Sequence, residues 1–278
     1  MRAQVDRRSA VPVGAACFDA DAGTGVAMNI AVTGAAGTIG KPLCDDLARD
    51  HDVVRIDLHD AEVIADVRDV EALERAFAGC DTVVHLAGVV SVEASWEDVA
   101  GPNIGGTYAA FEAARRAGVK RLIFASSNHA VGMHEVENVP AIYEPGFGLV
   151  VRTDTPYRPD SLYGVWKAFG ETLGRYYSDN HGLQVTCVRI GSITPQDDPR
   201  DPSVAQSSGW LPLDEAQKFA RYAATWMSQR DFALLVRAII ARDVPYAVVY
   251  GVGDNATRFW DLEPGRAIFG FWPQDGTK

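Results

Sequence analysis

A tyrosine and a lysine four positions apart form the sequence pattern with the most specific chemistry. Tyr163 and Lys167 lie in Leu-Tyr-Gly-Val-Trp-Lys, and this spacing places both side chains on one face of a helix. A phenol, with an ordinary pKa of about 10, is a weak base at neutral pH. A neighbouring ammonium group favours the phenolate and lowers that pKa. The pair is therefore suited to removing a proton from a hydroxyl group.

A polar run after an apolar segment supports this interpretation, because a Tyr-x-x-x-Lys pair also occurs by chance at the edge of a core. The run Phe-Ala-Ser-Ser-Asn-His covers residues 124–129. We place Ser127 just beyond the end of a strand, where its hydroxyl can bond a reacting oxygen and help to hold the tyrosine. Ser126 is the alternative with a structural role. Asn128 and His129 are expected to face the same cavity.

A glycine-rich turn after an apolar run in the N-terminal part of the sequence indicates a dinucleotide site. Residues 34–40 read Gly-Ala-Ala-Gly-Thr-Ile-Gly and follow an apolar run. Glycines there allow a close approach to a pyrophosphate, and the helix that follows directs its N–H groups at the phosphates. Asp57, at the end of the second strand, can accept both ribose hydroxyls and repels a 2′-phosphate, so NAD is expected rather than NADP. The alternative for Asp57 is an ordinary surface acid.

The cofactor-binding residues assigned from these patterns are Gly34, Ala36, Gly37, Thr38, Ile39, Gly40, Asp57, Asp66, Val67, Leu86, Ala87, Gly88, Asn103, Tyr163, Lys167 and Ile190. Asp66 and Val67 are expected at the adenine edge. His85 either faces the cofactor with the residues that follow it or is a core histidine.

The elements that must position these residues alternate along the chain. We predict strands at 29–33, 52–58, 81–86, 120–125 and 184–190, and helices at 38–50, 70–77, 103–117 and 161 to about 180. Buried strands alternating with helices indicate an α/β fold, a Rossmann-like doubly wound parallel sheet, here with a small C-terminal substrate-binding region. Ligands bind at the carboxyl ends of such strands.

The domain boundaries follow from the same pattern. Residues 28–278 are expected to form one NAD-binding domain, with substrate-binding loops at about 132–160 and 194–225. Residues 1–27 are expected to be a disordered extension, with an export signal or an upstream start codon as alternatives.

Composition excludes several classes of partner. A net charge of −11 at pH 7 argues against a nucleic-acid or anionic membrane surface, and no apolar run is long enough to span a bilayer. The four cysteines lack metal-ligand spacing, so we expect no metal and a reduced, cytoplasmic protein. They are Cys17, Cys44, Cys80 and Cys187.

Several longer motifs resemble the uronate dehydrogenases, a subgroup of the extended short-chain dehydrogenase/reductase family. The similar archaeal NAD-dependent glucose-6-phosphate dehydrogenase belongs to the same subgroup. The resemblance runs from Met28 to about Gln274 and rests on GAAGTIG, HLAG, FASSNHAVG, LYGVWKAFGETLGRYY, VRIGSITP, ATWMSQRDF and VVYGVGDN. Trp166 departs from it, since the family commonly has serine there.

The resemblance implies oxidation of a sugar at its anomeric carbon. Tyr163 would act as base, Lys167 would hold the nicotinamide ribose, and Ser127 would bind the reacting oxygen. Arg221, five residues before a Trp, would clamp a substrate carboxylate, so a hexuronate is the expected substrate, oxidised to its aldarolactone. The full set of substrate-binding residues is Ser91, Ser127, Asn128, His129, Tyr163, Ser192 and Arg221.

Other functions stay open at this point. An NAD-dependent hexose-6-phosphate or other aldose dehydrogenase fits the same residues. A sugar-nucleotide epimerase or dehydratase shares the glycines and the Tyr/Lys pair, and a non-catalytic NAD-sensing protein shares the fold. The resemblance also implies a homo-oligomer that packs through helices 103–117 and 161–180.

Overall fold

Strands and helices alternate along the chain in the computed structural model, which describes residues 26–201, 203 and 210–278. The strands are β1 (Asn29–Thr33), β2 (Asp52–Asp57), β3 (Val63–Ile64), β4 (Thr82–His85), β5 (Arg121–Ser127), β6 (Gln184–Ile190) and β7 (Tyr246–Gly251). The α-helices are α1 (Gly40–Leu47), α2 (Val70–Phe77), α3 (Trp96–Val99), α4 (Gly106–Arg116), α5 (Met133–Val136), α6 (Leu162–His181), α7 (Glu215–Thr225), α8 (Gln229–Ile240) and α9 (Glu263–Phe269). A π-helical segment covers Ala100–Gly105, and 3₁₀ turns cover Asn128–Val131 and Ala141–Tyr143.

The described strands form one parallel sheet in the order β3-β2-β1-β4-β5-β6-β7. The order reverses between β1 and β4, and this switch point opens a crevice at the carboxyl ends of the strands. Ser127 pairs with Ile190 across β5 and β6, so these two strand ends lie side by side. The predicted Rossmann-like α/β fold is confirmed.

Both faces of the sheet are covered, because consecutive strand residues point to opposite sides. Ile30 and Val32 belong to a core cluster with Leu43 of α1 and Leu235 of α8. Ala31, between them, belongs to a second cluster, which includes residues of α2, α4 and α6. The central strands β1, β4 and β5 are therefore buried on both faces, which explains the apolar character of their sequences.

Helix α6 packs closely on β5, and a glycine makes this possible. A Cβ atom at Gly170 would lie 2.2 Å from the Phe124 ring, well inside van der Waals contact. The helix begins at Leu162, with the Ser161 hydroxyl accepting a hydrogen bond from the Gly164 N–H at 3.1 Å. Tyr163 and Lys167 thus lie in its first two turns, beside the carboxyl end of β5.

A third apolar cluster builds the region at the carboxyl end of the sheet. Its buried residues come from three parts of the chain: Val131, Ile142, Tyr143 and Val151; Leu211, Leu213 and Ala224; and Tyr250, Val252, Phe259, Trp260 and Leu262. Ile142, Tyr143 and Val151 thereby anchor the 132–160 segment to the C-terminal segment. The backbone N–H of Val151 donates to the carbonyl of Phe259 at 2.7 Å.

Several predicted boundaries differ from the structure. Regular helix starts at Gly106 rather than at 103, because Pro102 lies in the preceding π-helical turn and lacks an N–H to donate. The strand predicted at 120–125 continues through Ser126 and Ser127, so Ser127 is the last strand residue and not a loop residue. The two-residue strand β3 and the elements beyond β6 were not predicted. The predicted strand 184–190 is confirmed.

Part of the sequence prediction lies outside the described residues. The proposed N-terminal extension falls almost wholly on residues 1–25, and the 194–225 loop includes residue 202 and residues 204–209. Within the residues that the structure describes, no helix combines the length and the apolar character needed to cross a membrane.

Candidate active site

A cavity of about 520 Å³ lies at the switch point of the sheet. Its walls include the glycine-rich turn, the end of β2, the segment after β4, the end of β5 and the first turns of α6. Of the residues assigned to the cofactor, the following line it: Gly34, Ala36, Gly37, Thr38, Ile39, Gly40, Asp57, Val67, Leu86, Ala87, Gly88, Tyr163, Lys167 and Ile190. A cavity of this size, with mostly apolar walls and a few polar groups, is typical of a small-molecule site.

The glycine-rich turn has the shape that a phosphate cradle needs. Gly34 has φ +74°, a left-handed conformation, and a Cβ there would lie 2.8 Å from the Ala87 nitrogen. The Gly37 N–H donates to the Gly34 carbonyl at 3.1 Å, which closes the turn before α1. Gly40 begins α1 and lines the cavity with Thr38 and Ile39, so the positive end of the helix faces this space. These residues fit a dinucleotide pyrophosphate.

Asp57 is held at the edge of the cavity by backbone groups. The Ala36 N–H donates to its Oδ2 at 2.9 Å, and the Leu58 N–H donates to its Oδ1 at 2.7 Å. A carboxylate has about four lone-pair sites, so both oxygens keep acceptor capacity toward the cavity. This arrangement fits two ribose hydroxyls and opposes a 2′-phosphate.

The structure does not bring two assigned residues to the cavity. Arg68 binds the carboxylate of Asp66 through Nε and Nη2, so the acid belongs to a surface ion pair. Asn103 is fully buried, and its amide is committed to the backbone of Val89, accepting from the N–H at 2.7 Å and donating to the carbonyl at 3.0 Å. Asn103 therefore shapes the segment after β4, since Val89 itself lines the cavity.

His85 lies in the core. Its Nδ1 is 2.7 Å from the Thr33 hydroxyl, and its ring stacks on Phe124. Burial lowers its pKa to about 3, with the Lys167 charge adding to the effect, so the ring is neutral. Of the two interpretations that the sequence left open, the structure favours the core histidine.

A second, smaller cavity of about 280 Å³ adjoins the first. The two share four lining residues: Val90, Ser127, Tyr163 and Gly191. The hydroxyls of Ser127 and Tyr163 thus stand where the two spaces meet. A molecule bound in the smaller cavity could place its reacting group against these hydroxyls. The same group would then lie next to a ligand bound in the larger cavity. The residues that the structure describes include no cluster of side chains that could hold a metal ion.

Burial of the Tyr163 phenol opposes its ionisation. Burial raises the pKa of Tyr163 to about 12, the neighbouring Ser127 hydroxyl lowers it, and Asp160 raises it. Burial also lowers the pKa of Lys167 well below its usual value, an effect that Glu171 opposes. The sequence predicted a tyrosine pKa lowered by the lysine. The pKa is raised here instead, because burial of the phenol is the largest effect and outweighs the hydrogen bond of Ser127.

Lys167 is held firmly in this buried position. Its Nζ donates to the Ala125 carbonyl at 2.6 Å and lies 3.4 Å from the centre of the Trp166 ring. The indole N–H of Trp166 in turn donates to the Thr107 hydroxyl at 2.7 Å, which joins α6 to α4. Trp166, the departure from the family pattern, thus packs under the lysine in the core.

The two neighbouring serines have different partners. Ser127 Oγ donates to Asn128 Oδ1 at 3.0 Å and lines both cavities. Ser126 Oγ donates a short hydrogen bond to Glu171, a carboxylate that is also bound by Arg189 through Nε and Nη2 at 2.9 Å each. The placement supports the assignment of the reacting-oxygen role to Ser127 and a structural role for Ser126.

The smaller cavity contains most of the residues assigned to the substrate. Ser91, Ser127, His129, Tyr163 and Arg221 line it, with His129 Nδ1 2.7 Å from Asp160 Oδ2. The other two assigned residues, Asn128 and Ser192, do not line it. Asn128 accepts from Ser127, and Ser192 Oγ lies 2.8 Å from the Thr225 hydroxyl.

Arg221 does not stand alone in the cavity wall. Its Nε donates to Oε1 of Glu135 at 2.8 Å, and its Nη2 donates to Oε2 at 3.3 Å. The Trp210 ring lies 5.5 Å from the guanidinium carbon and also lines the cavity. Neither Glu135 nor Trp210 was assigned from the sequence, since each lies in an irregular stretch where no periodic pattern marks it. Gly191 and Ile193 could have been found from their place directly after β6.

We predict that Asp57→Ser changes the choice of dinucleotide. Loss of the carboxylate removes the ribose acceptor and the repulsion of a 2′-phosphate, so KM for NAD should rise at least about 10-fold and the NADP/NAD ratio of kcat/KM should rise by at least as much. Steady-state kinetics with both dinucleotides measure this. Asp66→Asn is the matched control, and a shift there equal to that of Asp57→Ser would contradict the placement of the two acids.

Comparisons with known proteins agree with this geometry. The chain is 39% identical over 259 residues to an L-arabinose 1-dehydrogenase (NAD(P)(+)) of Haloferax volcanii, covering 89% of this chain and 97% of the relative. It is 36% identical to the NAD-dependent glucose-6-phosphate dehydrogenase of the same organism, covering 89% and 94%. The crystal structure of a mutant uronate dehydrogenase from Agrobacterium tumefaciens, complexed with NAD, superposes with a TM-score of 0.72 at 33% identity, covering 90% of this chain and 86% of the other. Residues 30–204 match the NAD dependent epimerase/dehydratase family, and the chain belongs to that family.

Proposed function

We propose that this chain is an NAD-dependent sugar dehydrogenase that oxidises the anomeric carbon of an aldose to a lactone. The observation that carries the proposal is the meeting of two cavities at Ser127 and Tyr163, one shaped for a dinucleotide and one the size of a monosaccharide. Relatives that span most of this chain are dehydrogenases of arabinose and of glucose 6-phosphate, which supports the reaction type.

The side chains of this site can move the proton that such an oxidation releases. NAD, when bound, supplies the acceptor for the hydride. Tyr163, as phenolate, takes the proton of the C1 hydroxyl, and Ser127 holds the same oxygen by a hydrogen bond. Lys167 provides a buried positive charge one helical turn away, with its Nζ 5.3 Å from the centre of the tyrosine ring. Positive charge near the ring favours the phenolate that burial alone disfavours.

The identity of the sugar is a separate question. The prediction of a hexuronate rests on Arg221 as a carboxylate clamp, and a phosphate would suit the same cation. The named relatives act on neutral and on acidic sugars. A hexuronate substrate thus stays a prediction.

We predict that Tyr163→Phe lowers kcat by about 100- to 10,000-fold with any sugar that is oxidised, since the general base is lost while the cavity keeps its shape. Absorbance of NADH at 340 nm, followed with a panel of neutral aldoses, hexuronates and hexose 6-phosphates, measures the activity. Tyr176→Phe, at an exposed position of the same helix, is the control. Failure of the unmodified protein to reduce NAD with any sugar would refute the proposed function.

The pH dependence should follow the tyrosine. Protonation of Tyr163 removes the base, so kcat falls as the pH falls below the pKa of the phenol. The Ser127 hydroxyl lowers that pKa. Ser127→Ala should therefore move the rising limb of the kcat profile to higher pH by about 1 unit, the equivalent of a hydrogen bond worth about 1.4 kcal/mol. Ser126→Ala, whose hydroxyl serves Glu171, is the control, and equal limbs for wild type and Ser127→Ala would contradict this role.

A homo-oligomer packed through α4 and α6 is part of the proposal. Large apolar side chains are exposed on these helices, with Tyr108 49%, Val165 44% and Tyr176 51% accessible. Val165→Glu should shift the mass measured by light scattering toward the monomer, because burial of the new charge is costly. Val150→Glu, at an exposed valine in a loop, is the control. A wild-type mass equal to the monomer would contradict the proposal.

A cytoplasmic location is also proposed. It is supported by three free, buried cysteines, Cys44, Cys80 and Cys187, which suit a reducing compartment.

A further inference from the structure

The positive charge beside the sugar cavity is already balanced inside the protein. Arg221 is 7% exposed, and Glu135 is fully buried against it. The pair is held by two hydrogen bonds, at 2.8 and 3.3 Å, and the Tyr143 hydroxyl donates a further one to Glu135 Oε1 at 2.7 Å. The carboxylate that neutralises this arginine therefore comes from the chain itself.

The described residues that line the cavity include no second arginine or lysine that could take the place of the neutralised Arg221. Among the described lining residues, Glu93 is acidic and exposed, and Arg221 is the sole arginine or lysine. His129 has Asp160 as its partner at 2.7 Å, so a protonated imidazole would also be balanced. In the described part of the wall, the Arg221–Glu135 pair, the His129–Asp160 pair and Glu93 together carry no net positive charge.

Binding a substrate carboxylate or phosphate in this cavity would be unfavourable in free energy. It would have to share Arg221 with Glu135, which cannot leave without becoming an unpaired buried charge. If both anions stayed, two negative charges would face one guanidinium group that is itself buried. The net charge of −11 adds long-range repulsion.

A neutral sugar meets no such cost. Its hydroxyls can bond to Ser91, Ser127 and the imidazole of His129, which all line the cavity. The Trp210 ring, packed edge-on to His129 at 5.5 Å, adds an apolar surface for the C–H groups of a sugar ring. A guanidinium group that is already paired can still donate a hydrogen bond to an uncharged oxygen.

We propose that the substrate is a neutral aldose, and that Glu135 is the residue that sets this choice by neutralising Arg221. Glu135 acts through the arginine and is a positioning residue, not a catalytic one. The inference rests on the proposed oxidation at C1, and it replaces the acidic sugar that Arg221 alone had suggested.

The test compares sugar preferences in three proteins. The ratio of kcat/KM for neutral aldohexoses and aldopentoses to that for the corresponding hexuronates is measured with saturating NAD. Wild type should favour the neutral sugars. Glu135→Gln frees the guanidinium charge and should lower the ratio by about 10- to 100-fold, through a fall in KM for the uronate with little change in kcat. Glu137→Gln makes the same substitution two residues away, at an exposed acid paired with Arg158, and should leave the ratio unchanged.

A double variant covers the case in which Glu135→Gln does not fold. Glu135→Gln/Arg221→Met removes both charges together and keeps similar side-chain volumes. Its preference for neutral sugars over uronates should persist, whatever its absolute rate. A gain of uronate turnover in this variant would show that the arginine charge does not mediate the choice, and would overturn the inference.

Wild-type kinetics separate this inference from the proposed function. Higher kcat/KM for a hexuronate or a hexose 6-phosphate than for every neutral aldose would overturn the role of Glu135 and leave the C1 oxidation standing. Absence of NAD reduction with all the sugars would refute the proposed function itself.

Discussion

The buried carboxylate of Glu171 joins the parts of the molecule that have to meet at the reaction site. It accepts hydrogen bonds from Ser126 on β5, from Arg189 on β6 and from Tyr157 in the loop before α6. Arg189 Nη1 also donates to the Tyr250 hydroxyl on β7 at 3.0 Å. Breaking a buried pair of this kind costs about 3–5 kcal/mol, a large part of the stability of most domains. The register of α6 against the sheet, and with it the position of Tyr163 and Lys167, depends on this carboxylate.

This arrangement explains the electrostatic state of the site. Close packing of α6 on β5 buries most of the phenol and of the ammonium group, and burial disfavours each ionised form. Glu171, one turn after Lys167, raises the lysine pKa and offsets part of that penalty. Charges interact more strongly in a buried site than in water. A positive nicotinamide ring bound near the tyrosine would therefore affect its pKa more than the same charge would in water.

The sequence predicted most of the sheet and many of the residues that line the larger cavity, because both follow from local patterns. Strand ends can be located from apolar runs, and parallel strands bring their carboxyl ends to one edge of the sheet. Asp57, Ser127 and Tyr163 were found in this way. Asp66 also follows such a run, but Arg68 binds it two residues later, and a surface ion pair of this kind leaves no periodic signal.

The sequence patterns did not predict the hydrogen-bond partners of buried polar groups. Asn103 was assigned to the cofactor, yet its amide is hydrogen-bonded to the Val89 backbone, because buried polar groups pair with one another. Glu135 and Arg221 lie 86 positions apart. No spacing rule connects them, and only the folded 132–160 segment shows that the arginine has a partner.

The proposed proton-transfer residues and Glu135 lie in different parts of the chain, and this has a consequence for substrate specificity. The proton-transfer groups lie on strand ends and on α6, where the buried network fixes them. Glu135 lies in α5, within an irregular segment packed at the carboxyl end of the sheet. A substitution there can change the net charge of the sugar cavity while the positions of Ser127, Tyr163 and Lys167 stay the same. Under the proposed roles, charge selection and catalysis depend on separate parts of the chain, so the sugar can differ between enzymes that share one reaction.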